Sequence, residues 1–369
     1  MTLVPAMINA HSHAFQRALR GRAERLAPDS GDDFWTWRTE MFRLASQLDP
    51  DAIHALAGQT YAEMHAAGYG AVGEFHYVHH QPDGTPYANP NEMARAVAEA
   101  AVAARLPVVM LPAAYHRNGW DGGDVPPVEG QRRFCDPDVQ TFLERVDALR
   151  EWSRTVDGVQ VGVAAHSIRA VPADWLRAIA AYAAEHQLAL HVHAAEQRRE
   201  LVQCQAEHGC SPIELLERCD FLSERTSVIH GIHVSDADVE ILARARATVV
   251  SCPTTEGNLG DGYLPAMAYL RAGVPLAIGS DSQVRIDPFE EARELETGSR
   301  RESELRAGLL AGVGDLWAEL CRNGRRSLDF AAEPHIEVDI DHHDLRGVEP
   351  IDLSLALVTS ASAGVVVPG

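Results

Sequence analysis

Eight short apolar runs recur along this chain with helical stretches between them, and no other feature narrows the possible folds so far. The runs are Leu3–Asn9, Gly70–Tyr77, Pro107–Tyr115, Val159–Ala165, Leu188–His193, Ser227–His230, Thr248–Ser251 and Pro275–Gly279. They are nearly all apolar rather than alternating, as parallel strands buried on both faces must be. Eight such strands interleaved with helices predict an α/β fold, a (β/α)8 TIM-like barrel. Between the runs, apolar residues return at helical spacing. Asp49-Pro50 opens a helix over 51–67, with Ile53, Leu56, Ala57, Tyr61 and Met64 on one face and Gly68 as its stop. The same pattern recurs at 91–105, 173–186, 212–219, 235–245 and 288–307, without a fixed-period repeat.

Two long connections, at roughly 14–48 and 116–138, interrupt the alternation and are rich in Gly, Pro, Asp and aromatic residues. Segments that follow strands in a barrel lie over its C-terminal face, so both are candidate substrate loops. Trp35 and Trp37 favour packed structure there over plain linkers.

With 369 residues, 46% hydrophobic and 23% charged, the chain can form one large α/β domain and a small appendage. No apolar run reaches the roughly 20 residues of a membrane span, and no secretory leader opens the sequence, so a cytoplasmic location is expected. Six cysteines, at 135, 204, 210, 219, 252 and 321, form no CxxC pair and fit reduced packing residues. The formal charge of −21 argues against nucleic acid or an anionic membrane as partner. An anionic substrate therefore needs a local positive site. All 32 basic residues are arginine. The absence of lysine excludes a lysine Schiff base, a phosphate-loop lysine and a lysine carbamate bridging two metals. If metal is bound, a single-ion site is favoured.

Chemistry-bearing residues collect at the ends of the runs. The first ends in His11-Ser12-His13, the fourth in His166-Ser167-Ile168-Arg169, the fifth in His191-Val192-His193-Ala194-Ala195-Glu196, the sixth in His230 and the eighth in Ser280-Asp281-Ser282. Two histidines spaced by two share one face of a strand and can grip one ion. Each residue alone has a structural reading: a satisfied core histidine for His191, His193 or His230, a turn former for Asp281, a first-turn acid for Glu196, a surface charge for Arg169. Their joint placement at the barrel face where chemistry resides favours a metal-dependent active site.

This order of groups resembles the amidohydrolase superfamily and, within it, the formimidoylglutamate deiminases of histidine breakdown. The matching stretches include Asn9–Arg17, Phe34–Arg38, Glu74–Tyr77, Ala165–Val171, His193–Gln197, Cys252–Gly262 and Gly279–Gln283, and the likeness spans about residues 5–300. It implies that His11, His13, His193 and Asp281 hold one zinc ion, with iron as the alternative. Three neutral imidazoles and a carboxylate suit zinc, which lowers the pKa of a bound water to about 7. By the same resemblance Glu196 takes the water proton and delivers it to the departing amine, while His230 orients the attacking water. Asp281 can accept a proton as well as ligate. The implied reaction is hydrolysis of N-formimidoyl-L-glutamate to N-formyl-L-glutamate and ammonia. Arg169 can clamp a substrate carboxylate through its planar fork. Gln16, Tyr115 and His166 occupy the other carboxylate-contacting positions, and the Thr254–Asp261 loop lines the pocket.

The chain departs from the family at both ends. Members carry several dozen residues of a small β-sandwich before the barrel, whereas here the first strand starts almost at Met1. After residue 300 the likeness fades, and Asp339–Gly347 and Ile351–Val358 only loosely resemble the returning sandwich strands. The expected division is a barrel over 1–305 and, over 306–369, a C-terminal helix with a truncated sandwich remnant. Unpaired sandwich strands leave exposed edges, which points to a self-covering segment or a homodimer. Gly231-Ile232 after His230 also departs from the family pair. Two other functions remain open: a superfamily deaminase acting on a nucleobase or related ring, and a non-catalytic metal-binding remnant. The anion clamp argues against the first; Glu196 and His230 argue against the second.

Overall fold

The computed structural model describes residues 1–22, 34–118, 125–306 and 308–368. Its strands are β1 (Thr2–Pro5), β2 (Met7–Ser12), β3 (Tyr69–His76), β4 (Val108–Ala114), β5 (Val159–Val161), β6 (Val163–Ser167), β7 (Leu190–Ala194), β8 (Thr226–His230), β9 (Thr248–Ser251), β10 (Leu276–Ile278) and β11 (His335–Val338). Strands β2 to β10 form one parallel sheet, in the order β10-β9-β8-β7-β6-β4-β3-β2 with β5 beside β4. Every one of these strands is buried except for parts of β3, β5 and β6, which is why their sequences are mostly apolar, with polar residues concentrated toward the ends that form the site.

The sheet curls until its ends meet. The Ser280 and Asp281 amides both donate to the His11 carbonyl, at 3.1 and 3.0 Å, and the His13 amide donates to the Asp281 carbonyl at 3.0 Å. A buried polar chain reinforces this seam: Asn9 Nδ2 donates to Ser280 Oγ at 2.6 Å, Ser280 Oγ to Gln283 Oε1 at 2.7 Å, and Gln283 Nε2 to Ser12 Oγ at 3.0 Å. Ser12 Oγ donates in turn to Glu74 on β3 at 2.6 Å. Gly279 is obligatory at the seam, because a Cβ there would lie 2.7 Å from the His11 carbonyl oxygen.

Two apolar runs prove to be two strands each. Leu3–Asn9 divides at Ala6: β2 enters the barrel, whereas β1 leaves it to pair antiparallel with β11, Thr2 opposite Val338 and Pro5 opposite His335. Val159–Ala165 divides at Gly162, whose amide donates to the Met110 carbonyl. The helix over 51–67 forms as the caps dictate, with Asp49 accepting from the Ala52 amide and Gly68 closing at φ +96°.

The helix Leu316–Leu328 packs against β2 and β10 and so backs the seam. Trp317 Nε1 donates to the Pro5 carbonyl and Asn323 Nδ2 to that of Leu276. Beyond it, the spans likened to sandwich strands are otherwise built: 339–347 is a run of turns, and 351–358 lies in a 3-10 turn followed by the helix Leu353–Thr359. Pro350 at the head of that turn favours helical over extended backbone. Of the long connections, the first holds a 3-10 segment, Ala14–Leu19, and a helix, Phe34–Ala45; the second holds the 3-10 segment Glu129–Phe134. Residues 23–33 and 119–124, and the side chain of Trp35, lie outside the described residues. Among the described residues no helix is long and apolar enough to cross a membrane.

Candidate active site

His11 and His13 leave the end of β2 and converge with His193 from β7 and Asp281 from the turn after β10; the four ligand atoms lie within 4.8 Å of one another, all on buried residues. His11 Nε2 and His193 Nε2 face each other at 3.0 Å, and Asp281 Oδ1 lies 3.4 Å from His11 Nε2 and 3.3 Å from His13 Nε2. Burial holds His11 and His193 neutral, with pKa values well below the ordinary range, and lowers that of His13 despite the nearby Asp281 carboxylate.

The outer nitrogens explain this orientation. His13 Nδ1 sits 2.8 Å from the Phe75 carbonyl and His193 Nδ1 2.8 Å from the His166 carbonyl. A carbonyl can only accept, so each Nδ1 carries the proton and each Nε2 turns a lone pair to the shared centre. Two imidazole lone pairs so aimed, with the His11 ring and a carboxylate around the same point, fit a divalent cation. His191, two residues before His193, is different: its Nε2 meets the Ser327 carbonyl deeper in the barrel, and it belongs to the core.

Beside this centre stand the two groups expected to handle protons. Glu196 Oε1 is 3.6 Å from His230 Nε2, and His230 Nε2 is 3.9 Å from Asp281 Oδ2. Burial opposes charge on His230, but Glu196, Glu256 and Asp281 around it prevail and push its pKa up to about 10. Burial raises the pKa of Glu196, against the pull of His230 and Arg169. Arg169 comes within 3.6 Å of Glu196 and 3.9 Å of Glu200, and is buried.

The four residues expected to contact substrate line the same cavity as His13, His193, Glu196, His230 and Asp281. Gln16 Nε2 donates to the Tyr77 hydroxyl at 2.8 Å, and its buried Oε1 has no hydrogen-bond partner among the described residues. The Tyr115 hydroxyl receives Gln131 Nε2 at 2.7 Å and Arg38 Nη2 at 3.2 Å. His166 lies edge-on to the Tyr77 and Tyr115 rings, its pKa held well below the ordinary range by burial and then by Arg169. Of the Thr254–Asp261 loop, only Leu259 reaches this wall.

Sequence reasoning missed part of the cavity. Trp37, Arg38, Met41 and Phe42 from the helix Phe34–Ala45, Tyr77, and Phe134 from the second connection complete its walls. The two connections therefore do lie over the site. Arg38 is the principal omission, since it adds a second guanidinium. It stood in the quoted Phe34–Arg38 match, and the demand of a −21 chain for positive charge was the signal that could have found it.

The comparisons with known proteins agree with this geometry. A family model described as "Amidohydrolase family" matches residues 2–313. A formimidoylglutamate deiminase of Pseudomonas aeruginosa is 42% identical over 298 residues, which cover 81% of this chain and 64% of that protein. A 5-methylthioadenosine/S-adenosylhomocysteine deaminase of Haloarcula marismortui is 28% identical over 296 residues, or 79% of this chain and 61% of the relative. The chain thus spans less than two thirds of the length of either. Among solved structures, an amidohydrolase from Brucella melitensis superposes with a TM-score of 0.90 at 34% identity, covering 99% of this chain and 84% of that one. A zinc-bound adenosine deaminase from Xanthomonas campestris shares the fold, with a TM-score of 0.82 at 20% identity over 99% of this chain and 77% of its own. The barrel, the converging histidines and aspartate, and these matches together establish that the chain belongs to the amidohydrolase family.

Proposed function

We propose that the protein hydrolyses N-formimidoyl-L-glutamate to N-formyl-L-glutamate and ammonia in the cytoplasm, as a step of histidine degradation. The observation that carries this reading is the pairing, in one cavity, of a metal-ligand set with two guanidinia, Arg38 and Arg169. A substrate with an amidine at one end and two carboxylates at the other matches both halves. His11, His13, His193 and Asp281 would hold one zinc ion, with iron as the alternative. When bound, such an ion activates water at neutral pH and acts as a Lewis acid.

The remaining work falls to side chains. Glu196, its carboxyl pKa raised by burial, accepts a proton from the attacking water at one oxygen and delivers it to the amidine nitrogen. With the amidine bound in its protonated, amidinium form, that proton completes ammonia as the leaving group, and the hydroxyl proton left on the tetrahedral carbon passes to a carboxylate as the formyl C=O forms. His230 donates from Nε2 to orient the water and to stabilise the tetrahedral intermediate, and Asp281 is a second acceptor for the water proton. Arg169, beside Glu196, clamps the carboxylate nearer the reacting carbon, while Arg38, Tyr115 and Gln16 hold the other and His166 closes the wall between them. The aromatic walls exclude bulk water.

A ring deaminase has less use for two buried or half-buried guanidinia, and a non-catalytic remnant has no use for Glu196 facing His230. The deciding experiment is an ammonia assay on protein of known metal content, with formimidoylglutamate tested beside guanine, cytosine and adenosine. Ammonia from formimidoylglutamate alone is expected. Release only from a ring substrate, or binding without release, overturns the reading.

The partner would be this small anion, with no nucleic acid or membrane involved, and a second copy of the chain. Leu3 is 72% exposed on β1 and Ile351 89% exposed after it in the terminal segment. Both are apolar positions that a homodimer would cover. Light scattering after size exclusion is expected to return twice the mass of one chain, and a monomer would refute the pairing.

A further inference from the structure

His230 occupies an uncomfortable position. Its φ is +72°, in the left-handed region that a β-carbon disfavours, and Gly231 follows at +62°. Such a conformation persists only where the surroundings dictate it. The backbone is held by Gly231, whose amide donates to the Ala194 carbonyl at 3.1 Å and whose own carbonyl accepts the Tyr269 hydroxyl at 2.6 Å. The imidazole is held from behind. Its Nδ1 lies 3.3 Å from Glu256 Oε1, while Nε2 points the other way, to Glu196 and Asp281.

Glu256 is itself fixed at both oxygens. It is 3% exposed and stands in the first turn of the helix Pro253–Leu259. Oε1 accepts the Cys252 amide at 2.7 Å, and Oε2 accepts the Ser251 hydroxyl at 2.8 Å. A carboxylate already gripped by two donors at the junction of β9 with its helix has little freedom to follow the histidine, so the histidine must follow it. Glu256 does not line the substrate cavity.

We propose that Glu256 is the positioning residue for His230: by accepting the Nδ1 proton it fixes the ring plane and keeps an Nε2–H aimed at the space between Glu196 and Asp281. The proposal rests on the reading of His230 as the group that orients the attacking water, and it separates from that reading in the test.

The test is a double-mutant cycle on the full chain with its metal, reading ammonia release from formimidoylglutamate, with Glu256→Met, His230→Ala and the pair together. Met keeps the reach of the side chain but offers no oxygen to Nδ1, whereas Gln could keep an oxygen at the Oε1 position that His230 and Cys252 share. Metal content is expected to stay at the wild-type value, and any stability lost with the Cys252 contact recurs in the His230→Ala background and cancels in the cycle. Glu256→Met should lower kcat by about tenfold or more with little change in KM, as loss of an orienting partner does. In the His230→Ala background the same change should have almost no effect on kcat. Equal losses in both backgrounds, or none in either, would overturn the proposal.

A second measurement needs neither turnover nor a variant. Histidine 15N spectra of the wild-type protein should show His230 with its Nδ1 protonated in a hydrogen bond, and an Nδ1 without a proton would refute the assignment. If the wild type releases no ammonia from formimidoylglutamate, the proposed reaction falls. The spectrum still decides on Glu256.

Discussion

Arg169 concentrates the electrostatic problem of the site into one side chain. It is buried, lies near Glu196 and Glu200, and is the only cation on β6's exit turn toward a substrate that would bring two more negative charges. Arg169→Ala is expected to raise KM by roughly 10- to 150-fold, the equivalent of about 1.5–3 kcal/mol for a lost charge-assisted hydrogen bond. Metal content should stay unchanged, because Arg169 is not among the four candidate ligands. Arg169→Lys should recover only part of the loss, since an ammonium cannot reproduce the planar fork. Steady-state kinetics with elemental analysis check both, and wild-type KM in Arg169→Ala would remove the clamp. At this scale the sequence was most legible where chemistry coincided with strand ends: His11, His13, His193, His230 and Asp281 all sit where the apolar runs stop. Arg38 and Glu256 sit on helices that follow the strands, and no periodicity distinguishes a helical residue facing a pocket from one facing solvent.

At the scale of elements, strands buried on both faces write themselves plainly, and helices with one apolar stripe do so nearly as well. The helix Arg198–His208 was illegible because it buries only Glu200 and Cys204 and leaves Val202 70% exposed, so it has no stripe. The division of Leu3–Asn9 was hidden for the opposite reason: both halves are apolar, and only the antiparallel partner β11, over three hundred residues away, separates them. Ile351–Val358 misled through a short alternation of apolar and polar residues, a pattern too brief to tell helix from strand. The seam between β2 and β10 offers a sharper test. Gly279→Ala would place a methyl group against the His11 backbone, with contacts of 2.7 to 2.9 Å. Relief requires moving His11 or Asp281. The variant is expected to lose about 1–3 kcal/mol of stability and to bind metal more weakly, measured by thermal melting and by metal titration. An alanine tolerated in both would mean the strands can separate without disturbing the ligands.

At the scale of the whole molecule, the candidate ligands come from residues 11, 13, 193 and 281, three distant parts of the barrel. An ion that binds the folded chain and not the unfolded one stabilises it by mass action, by about 4 kcal/mol at a thousand times its Kd. Chelation should therefore lower the melting temperature, and restoring zinc should raise it again; a melting curve indifferent to chelator would exclude a tightly held ion. The terminal ribbon of β1 and β11, by contrast, donates nothing to the site, and its cost or benefit belongs to stability and association.

Asp281 serves two masters: its side chain is one of the four converging donors, while its backbone bonds on both sides to His11 and His13, joining the last barrel strand to the first. A cation seated there acts as a clasp across the one junction where the ring of strands was not laid down by neighbouring segments. Losing it should let water and solvent deuterium reach Ser280, Asp281 and His13 before any other part of the barrel loosens, so that inactivation begins as an unfastening rather than as a collapse.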